Sequence, residues 1–345
     1  MDKKLNFAVI GAGSFSDKHL SALEQTNEAN VVAICDCVQE KAKQQAEKYH
    51  IPDVYTDYNE LLSRRDIDVV TLPLPDQVHR EITVAALRAG KHVLCEKPMA
   101  LSLEDCREMV QAQRDSGKQL MIGQVCRFTP GFVLAKQLVE AGEIGDLFFV
   151  ESEYAHDYSK LGGEGGWRVT PERHPVIGGG CHAVDLLRWI AGNPTELFAY
   201  ANNKVLTSWP ICDCTVALLQ FPNQVSGKIL TSIGCKRNYT MRTVLYGTKG
   251  TIITDNTSPT ISIFKEAYRD ADMFHGIDQQ SIEMKLPVEV NNHNVPNEIR
   301  VFCDAILHNK PVPTDGVEGA STVAVCRTIV ESAKLKQPLP VDYNF

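Results

Sequence analysis

The stretch LNFAVIGAGSFSDKHLSALEQT, residues 5–26, predicts a strand, a tight turn and a helix. An apolar run leads into glycines, and the next segment has helical spacing with Leu20 and Leu23 facing inward. The alternation of strand and helix continues through NVVAICD, VQEKAKQQAEKYH, DIDVVTLPLP, REITVAALRAG and HVLCEKP. Such alternation requires right-handed crossovers, so the sequence predicts an α/β fold with a parallel, doubly wound (Rossmann) sheet.

The turn GAGSFS is typical of a dinucleotide site. Gly11 permits the tight turn, and Gly13 lets the backbone approach a pyrophosphate at the helix N-terminus, while Ser16 replaces a third glycine. Asp36 ends the second strand, where a carboxylate binds the ribose diol of NAD and repels the 2′-phosphate of NADP. A solvated turn acid is the alternative for this residue. We expect NAD to be bound by Gly11, Gly13, Ser14, Phe15, Ser16 and Asp36.

Composition limits the classes of partner. The 345 residues are 43% hydrophobic and 23% charged, which favours a globular protein of two domains. A net charge of −8 argues against nucleic acid or an acidic membrane surface, so a small molecule is the expected partner. Among the 11 cysteines, the close pairs lack histidines at zinc spacing, so we expect free thiols and no metal. Without a signal sequence or membrane span, a cytoplasmic location is expected.

The stretch DIDVVTLPLPDQVHREITVAALRAGKHVLCEKPMALSLEDC, residues 66–106, resembles the glucose-fructose oxidoreductase, inositol dehydrogenase and MocA (Gfo/Idh/MocA) family. Pro75, His79 and the run from Gly90 to Pro98 match its motifs. The resemblance continues through CRFTPGFVLAKQLVEAGEIGDL, GWR, YGTKGTI and the tail from Asn297 to Val341. It extends the expected cofactor site to Pro75, His79, Glu96, Lys97, Trp167 and Arg168.

The same resemblance implies two domains. Residues 1–123 would bind NAD, and residues 124–345 would form an α+β domain on a large, open, mostly antiparallel sheet. One face of that sheet would cover the nicotinamide, and the other would make a homodimer or homotetramer. The segments LFFVESEYA, CTVALLQF, GKILTSIGC and TVLYGTKGTIIT have the composition of its strands. Specificity would lie on this sheet and in loops such as EAYRDADMFHGIDQQ, residues 266–280.

Lys97 and His182 are the expected catalytic residues. Oxidation of a secondary alcohol needs a base for the hydroxyl proton and a cation beside the developing alkoxide. Lys97 follows a buried strand at the carboxyl end of the sheet, where ligands of open α/β folds bind, although a solvated surface lysine is the alternative. His182 stands near the start of the predicted helix HAVDLLRWIAGNP, which Gly192 and Pro194 end, and the resemblance to the motif G.H..D makes it the base. Its alternative is a helix cap or a core residue.

One position departs from the family. Many sugar and cyclitol dehydrogenases of this family have an aspartate four residues before the histidine, where this chain has Gly178. Another residue must then orient the substrate. Asp185 shares a helix face with His182 and could fix its tautomer, touch substrate or pair with Arg188. The candidates for substrate binding are His156, Asp157, Tyr158, His174 and Asp185, with Arg168 a further possibility.

Three functions are compatible with these residues. The leading one is an NAD-dependent dehydrogenase that oxidises a secondary hydroxyl of a sugar, a glycoside or a cyclitol. In the second, tightly held NAD oxidises a sugar transiently, so that a glycosidic bond can be eliminated or hydrolysed. The third is a non-catalytic NAD-binding regulator, against which the retained Lys97 and His182 argue.

Overall fold

The N-terminal part of the chain forms a parallel sheet with helices. The computed structural model describes residues 4–266 and 281–345. The strands are β1 (Leu5–Ile10), β2 (Ala29–Cys35), β3 (Asp53–Tyr55), β4 (Val69–Leu72), β5 (His92–Glu96) and β6 (Leu120–Gly123). The helices are α1 (Ser16–Glu24), α2 (Gln39–Tyr49), α3 (Tyr58–Leu62), α4 (His79–Arg88) and α5 (Leu103–Ser116).

The strand order of this sheet is β3-β2-β1-β4-β5-β6, and each neighbouring pair is parallel. This is the order of a dinucleotide-binding sheet, with its switch point beside β1. β4 is buried along its whole length, as expected for a strand that helices cover on both faces. The parallel, doubly wound fold predicted from the sequence is confirmed.

A second sheet follows. Its strands are β7 (Leu147–Ala155), β8 (Glu196–Asn202), β9 (Cys214–Gln220), β10 (Ser226–Ser232), β11 (Thr240–Gly247), β12 (Gly250–Asp255), β13 (Thr260–Glu266), β14 (Ser281–Pro287) and β15 (Leu339–Pro340). Their order is β14-β13-β12-β11-β7-β10-β9-β8-β15. β10 runs parallel to β7, and the other pairs are antiparallel. The large, mostly antiparallel sheet is therefore confirmed.

Helices α6 (Pro130–Glu140), α7 (Pro175–Gly178) and α8 (Cys181–Ala191) belong to this second unit. α8 packs on β7 and β10, and α6 packs on β12. The sequence predicted that the helix after His182 ends at Gly192, and α8 does end there, with Gly192 at a φ of 89°. The predicted specificity loop of residues 266–280 lies outside the described residues from 267 onward.

Helices α9 (Val295–Leu307) and α10 (Gly316–Leu335) close the chain. The structure groups residues 1–125, 294–327 and 343–345 into one unit and residues 126–293 and 328–342 into the other. This differs from the predicted boundaries of 1–123 and 124–345. The reason lies at the edge strand β6, where Ile122 N donates to Thr314 O (2.7 Å) and Thr314 Oγ1 donates to Ile122 O (2.7 Å). The closing segment is thereby hydrogen-bonded to the edge strand of the parallel sheet.

Across residues 4–266 and 281–345, we find no helix with the length and apolar character needed to cross a membrane.

Candidate active site

The glycine turn after β1 has the features of a pyrophosphate cradle. Gly11 has a φ of 108°, and a Cβ there would lie 2.9 Å from Pro73 O, so only glycine fits. A Cβ at Gly13 would meet nothing within 4 Å, which leaves that stretch of backbone open to a ligand. Ser16 Oγ donates to Gly13 O (2.6 Å) and ties the turn to α1. Within the described part of the chain, no side chain caps the N-terminus of α1 at Phe15, so this helix end suits an anion.

Asp36 lies beside this turn, directly after β2. Its Oδ2 accepts from Ala12 N and its Oδ1 accepts from Val38 N, both at 2.8 Å. Asp36 is half-buried; its Oδ1 also accepts a long hydrogen bond from Cys37 Sγ (3.8 Å), and its Oδ2 retains a lone pair for a further donor. These contacts hold the carboxylate at the glycine turn, where the ribose diol of a dinucleotide would meet it. The residues present therefore fit NAD.

At the carboxyl end of β5, Glu96 lies in a buried network. His19 Nε2 donates to Glu96 Oε1 (3.0 Å), and Thr71 Oγ1 lies 2.7 Å from His19 Nδ1. Lys97 N donates to Glu96 Oε2 (3.2 Å). Burial raises the pKa of Glu96, but the hydrogen bond from His19 and the nearby positive charges outweigh burial and lower that pKa below its usual value. Glu96 is thus a carboxylate that orders the backbone at Lys97.

Glu298 of α9 is a second buried carboxyl group beside Glu96 and Lys97, and sequence reasoning missed it. The residue has no exposed surface, and among the residues that the structure describes neither of its carboxyl oxygens has a hydrogen-bond partner. Burial and the negative charge of Glu96 raise the pKa of Glu298 well above its usual value, although the charge of Lys97 opposes them. Burial thus favours the protonated, neutral form of Glu298. Nothing in its local sequence, NEIRVF, distinguishes it from a solvated helix residue.

Replacing Glu298 by glutamine is expected to flatten the dependence of stability on pH. Because the folded pKa of Glu298 is raised, its favourable contribution is complete below the unfolded pKa of about 4.3 and is lost as pH rises. Glutamine stays neutral throughout. The native chain should therefore lose stability relative to E298Q as pH rises. From pH 5 to pH 8, the difference between their free energies of unfolding should change by about 1 kcal/mol or more in favour of E298Q. Urea unfolding followed by circular dichroism measures this, with the exposed Glu24→Gln as the control; a constant difference would contradict it.

His79, predicted to bind the cofactor, is fully buried in the same unit. Its Nδ1 lies 2.8 Å from Pro98 O and its Nε2 lies 3.0 Å from Leu74 O. Two carbonyl acceptors require a proton on both ring nitrogens, so the ring is an imidazolium. Burial lowers the pKa of His79, but Cys95, Asp76 and the Pro98 carbonyl outweigh burial and raise it to about 10. His79 thus joins the loop that contains Pro75 to the turn after Lys97.

In the second unit, His182 is the second residue of α8 and is 2% exposed. Its Nδ1 lies 3.2 Å from the sulfur of Cys126. The ring of Tyr154 is stacked on it, with centroids 6.4 Å apart and planes at 26°, and the ring of His293 lies 6.1 Å away. Cys126, Tyr154 and His293 were not predicted, because each is far from His182 along the chain.

Tyr154 connects His182 to two of the predicted substrate residues. Its hydroxyl lies 2.7 Å from the hydroxyl of Tyr158 and 3.4 Å from His156 Nδ1. Tyr239 closes this group, since its ring centroid lies 4.8 Å from that of His156. Burial raises the pKa of Tyr154 and of Tyr239 well above the usual value, whereas burial and the charge of Arg168 lower the pKa of His156. We call Tyr154, His156, Tyr158, His182, Tyr239 and His293 the aromatic cluster.

The other predicted substrate residues make different contacts. Asp157 pairs with Lys236 (3.1 Å), and the amide of Ser159 together with Lys236 lowers the pKa of Asp157 to about 2. His174 Nδ1 accepts from Val176 N (3.2 Å) and caps α7. Asp185 is fully buried, and two nitrogens of Arg127 each donate to it at 2.7 Å. Arg188, the partner considered from the sequence, lies farther from this carboxylate, at 3.7 Å.

The glycine run before His182 allows close packing within the second unit. A Cβ at Gly178 would collide with the guanidinium of Arg173, whose Nη2 donates to Gly178 O (3.3 Å). A Cβ at Gly179 would lie 2.6 Å from the ring of Tyr154. The close neighbours of these two glycines are thus side chains of the protein.

Arg173 therefore occupies the space beside Gly178, and sequence reasoning missed it. Its guanidinium lies 4.8 Å from the ring centroid of Trp167, and that of Arg168 lies 4.6 Å from the same ring. Arg173 is 2% exposed, so its charge is held inside the protein. Trp167 and Arg168 were predicted as cofactor residues, and that role stays a prediction.

Among the residues that the structure describes, no group of three His, Cys, Asp or Glu side chains is arranged to hold a metal ion. The described residues include all eleven cysteines, and no disulfide joins any two of them.

Comparisons with known proteins relate both parts of the chain to one family of oxidoreductases. Residues 5–124 match the family model described as an oxidoreductase family with an NAD-binding Rossmann fold, and residues 132–253 match the GFO/IDH/MocA C-terminal domain. An uncharacterised oxidoreductase of Bacillus subtilis, YrbE, is 28% identical over 100% of this chain and 98% of its own length. The myo-inositol 2-dehydrogenase of Thermotoga maritima is 25% identical over 98% of this chain and 99% of its own. A levoglucosan dehydrogenase solved with NADH and L-sorbose has the same fold, with a TM-score of 0.89, 21% identity and 99% coverage of both chains.

Proposed function

This chain belongs to the Gfo/Idh/MocA family of NAD-binding oxidoreductases, and we propose that it oxidises a secondary hydroxyl group of a sugar, a glycoside or a cyclitol. The observation that carries the proposal is the position of His182 within the aromatic cluster. Tyrosine hydroxyls and imidazoles can bind several hydroxyl groups of a substrate, and the rings can pack on its C–H faces. Relatives named for inositol, apiose and levoglucosan support the same class of substrate.

The residues of the chain have separate roles in this reaction. NAD+, when bound, supplies the acceptor for the hydride that leaves the carbinol carbon. The base is His182, whose imidazole takes the hydroxyl proton. Lys97 stabilises the negative charge that develops on the oxygen. The products are a ketone, the reduced cofactor and one proton, so atoms and electrons balance.

A panel of sugars, cyclitols and glycosides tests this function. Substrates of the proposed class should give NADH absorbance and a product two hydrogens lighter by mass spectrometry. Reduction of NAD+ by none of the panel, together with no change in any substrate, would overturn the proposal.

A second candidate is transient oxidation by retained NAD, followed by elimination or hydrolysis of a glycosidic bond. The position of Arg173 favours it, because a guanidinium lies beside Gly178 where many dehydrogenases of the family have a carboxylate. The same panel separates the two candidates. Cleavage of a glycoside without accumulation of NADH would support transient oxidation.

Cofactor choice is expected to follow Asp36. Its carboxylate should accept the ribose diol and repel a 2′-phosphate, so NAD+ should bind at least about tenfold tighter than NADP+, or about 1.4 kcal/mol. Calorimetric titration with both nucleotides measures this ratio. Asp36→Asn keeps an acceptor for the amide of Ala12 and removes the charge, so it should reduce the difference between the affinities for NAD+ and NADP+. Equal affinities for the two nucleotides in the native protein would contradict the prediction.

We infer that one face of the second sheet, the face that carries Tyr200 and Leu218, joins two or four copies of the chain. Tyr200 (62% exposed) and Leu218 (58% exposed) lie on neighbouring strands of that face, and such apolar surface often marks a protein contact. Glu151 pairs with Lys228 and Arg242 nearby, so the face carries both charges and can match its own copy across a twofold axis. Leu218→Asp should yield monomers in sedimentation velocity, whereas Glu24→Gln on α1 should not; a monomeric native protein would disprove the inference.

A further inference from the structure

A cavity of about 440 Å³ lies at the amino edge of the parallel sheet, within the unit of residues 1–125, 294–327 and 343–345. Its walls come from the segments that lead into β4, β5 and β6, from Leu5 of β1, from the residues after α4 and from Ile306 of α9. The glycine turn follows the other end of β1, six strand residues or about 17–20 Å away. We call this space the amino-edge cavity. Its volume is within the usual range for small-molecule sites, ~300–1,000 Å³.

The charged groups that line the amino-edge cavity are mostly cations. Arg65, Lys91 and Lys118 line it together with one carboxylate, that of Asp68, so the net charge is +2 when His92 is neutral. Each cation precedes a different strand, since Arg65 lies before β4, Lys91 before β5 and Lys118 before β6. These three strands are neighbours and parallel, so their amino ends meet at one edge of the sheet. A concave site lined by one sign of charge attracts a ligand of the opposite sign.

Lys91 is held in the wall of this cavity. It is 5% exposed, and its Nζ donates to Arg64 O (2.5 Å) and to Ile67 O (2.9 Å). An ammonium group has three N–H donors, so one donor of Lys91 has no acceptor among the residues that the structure describes. Burial lowers the pKa of Lys91, the carboxylate of Asp68 opposes this change, and the charge of Lys118 adds to the lowering. The ammonium is thus bound by carbonyl groups, and a second cation lies close to it.

The other two cations of the cavity also lack a carboxylate partner. Across residues 4–266 and 281–345, Arg65 and Lys118 form no ion pair, whereas the neighbouring Arg64 pairs with two aspartates. Lys118 is half-buried, and its Cε lies 4.0 Å from the position that a Cβ would have at Gly90, just after α4. Two lysines held close together without a carboxylate between them repel each other. An anion bound between them would remove this repulsion.

We propose that the amino-edge cavity binds a phosphate group, with Arg65, Lys91 and Lys118 as its donors. At pH 7 the phosphate of a phosphomonoester has a charge of about −1.5 to −2 and three acceptor oxygens, which match the net charge and the three cations of the cavity. Lysine and arginine side chains both bind phosphate well. The apolar side chains of Leu5 and Ile306 in the same walls would contact the organic part of a small phosphomonoester. The inference does not depend on the proposed function.

Titration calorimetry on the NAD-saturated protein tests the proposal with three probes: glycerol 3-phosphate, inorganic phosphate and glycerol. Saturation with NAD+ keeps the probes out of the pyrophosphate cradle. We expect the phosphate probes to bind with a Kd of about 1 mM or below and glycerol to give no binding heat. Tighter binding of glycerol 3-phosphate than of inorganic phosphate would assign the site to an organic phosphate, and equal affinities would assign it to the phosphate ion. No binding of either phosphate probe at about 10 mM would overturn the proposal.

Variants of the cations locate the binding. Arg65→Met and Lys118→Met should each weaken the binding of the phosphate probes about tenfold or more, which corresponds to about 1.4 kcal/mol. Lys118→Arg keeps the charge and should retain most of the affinity, and Lys43→Met, at an exposed lysine of α2, should leave it unchanged. Lys91 is kept in every variant, because its substitution would remove two hydrogen bonds to backbone carbonyls. Native affinity in both Arg65→Met and Lys118→Met would overturn the proposal, since phosphate would then bind elsewhere.

Urea unfolding followed by circular dichroism separates binding from a structural role of Lys118. Lys118→Met removes a positive charge that lowers the pKa of Lys91, so without phosphate the variant should be at least as stable as the native protein. Added phosphate should stabilise the native protein more than the variant, because a ligand that binds only the folded state raises the free energy of unfolding by RT ln(1 + [L]/Kd). A variant that is less stable than the native protein by the same amount with and without phosphate would overturn the proposal.

Discussion

Lys97→Met and His182→Ala should each lower turnover on the identified substrate by about two orders of magnitude or more. This corresponds to about 2.7 kcal/mol of lost transition-state stabilisation. The variant His182→Ala lacks the base, and the variant Lys97→Met lacks the cation beside the developing alkoxide. NAD affinity should stay nearly unchanged, because the glycine turn and Asp36 supply the expected contacts to the dinucleotide. Steady-state kinetics and calorimetry on the same preparations measure both quantities.

The controls separate chemistry from packing. His182→Gln keeps most of the side-chain volume of a buried residue, so it should be as inactive as His182→Ala and more stable. Lys43→Met removes an exposed lysine of α2 and should leave turnover unchanged. The double variant of Lys97 and His182 should lose less than the product of the two single effects, since residues that act on one transition state fail together. Near-native turnover in His182→Gln would show that another group is the base.

Local patterns in the sequence were enough to predict much of this fold. The apolar run of β1, the glycines after it and the spacing of Leu20 and Leu23 lie within one short segment, and each part constrains the next. The end of α8 at Gly192 is equally local. β3 and α3 were not predicted, because a three-residue strand and a five-residue helix have too few positions to show a period.

The contacts within the site could not be read from the sequence, because they join distant segments. Cys126 lies 56 residues before His182, and nothing in CRFTP marks its sulfur as the neighbour of an imidazole. The charge of Glu96 influences the pKa of Glu298, which is distant along the chain, and α9 packs on α1. From the sequence, Gly178 was recognised as the position where many members of the family have an aspartate. The structure reveals that the guanidinium of Arg173 fills the space beside it.

Asp185 is the clearest example of a contact that the sequence could not predict. The sequence offered three roles for it: orienting His182, touching substrate or pairing with Arg188. The structure places its strongest contact with Arg127, 58 residues away, through two hydrogen bonds of 2.7 Å. Because both side chains are buried, breaking this ion pair should lower the free energy of unfolding substantially.

Replacing Arg127 by methionine is therefore expected to destabilise the second unit by about 3–5 kcal/mol, because it leaves the Asp185 carboxylate buried with only the more distant Arg188. Trp167, Trp189 and Trp209 all lie in this unit, so tryptophan fluorescence during urea unfolding reports on it directly.

A double-mutant cycle completes the test. Arg127→Met with Asp185→Leu should be less destabilised than the sum of the single variants, because the second change removes the stranded charge. Lys236→Met breaks the exposed pair with Asp157 in the same unit and should cost at most about 1 kcal/mol. The competing role for Asp185 makes the opposite prediction: if it touches substrate, Asp185→Asn should unfold like the native protein and lose kcat/KM. Loss of stability in Asp185→Asn, with the residual enzyme keeping its KM, would assign Asp185 to the support of α8 beneath His182.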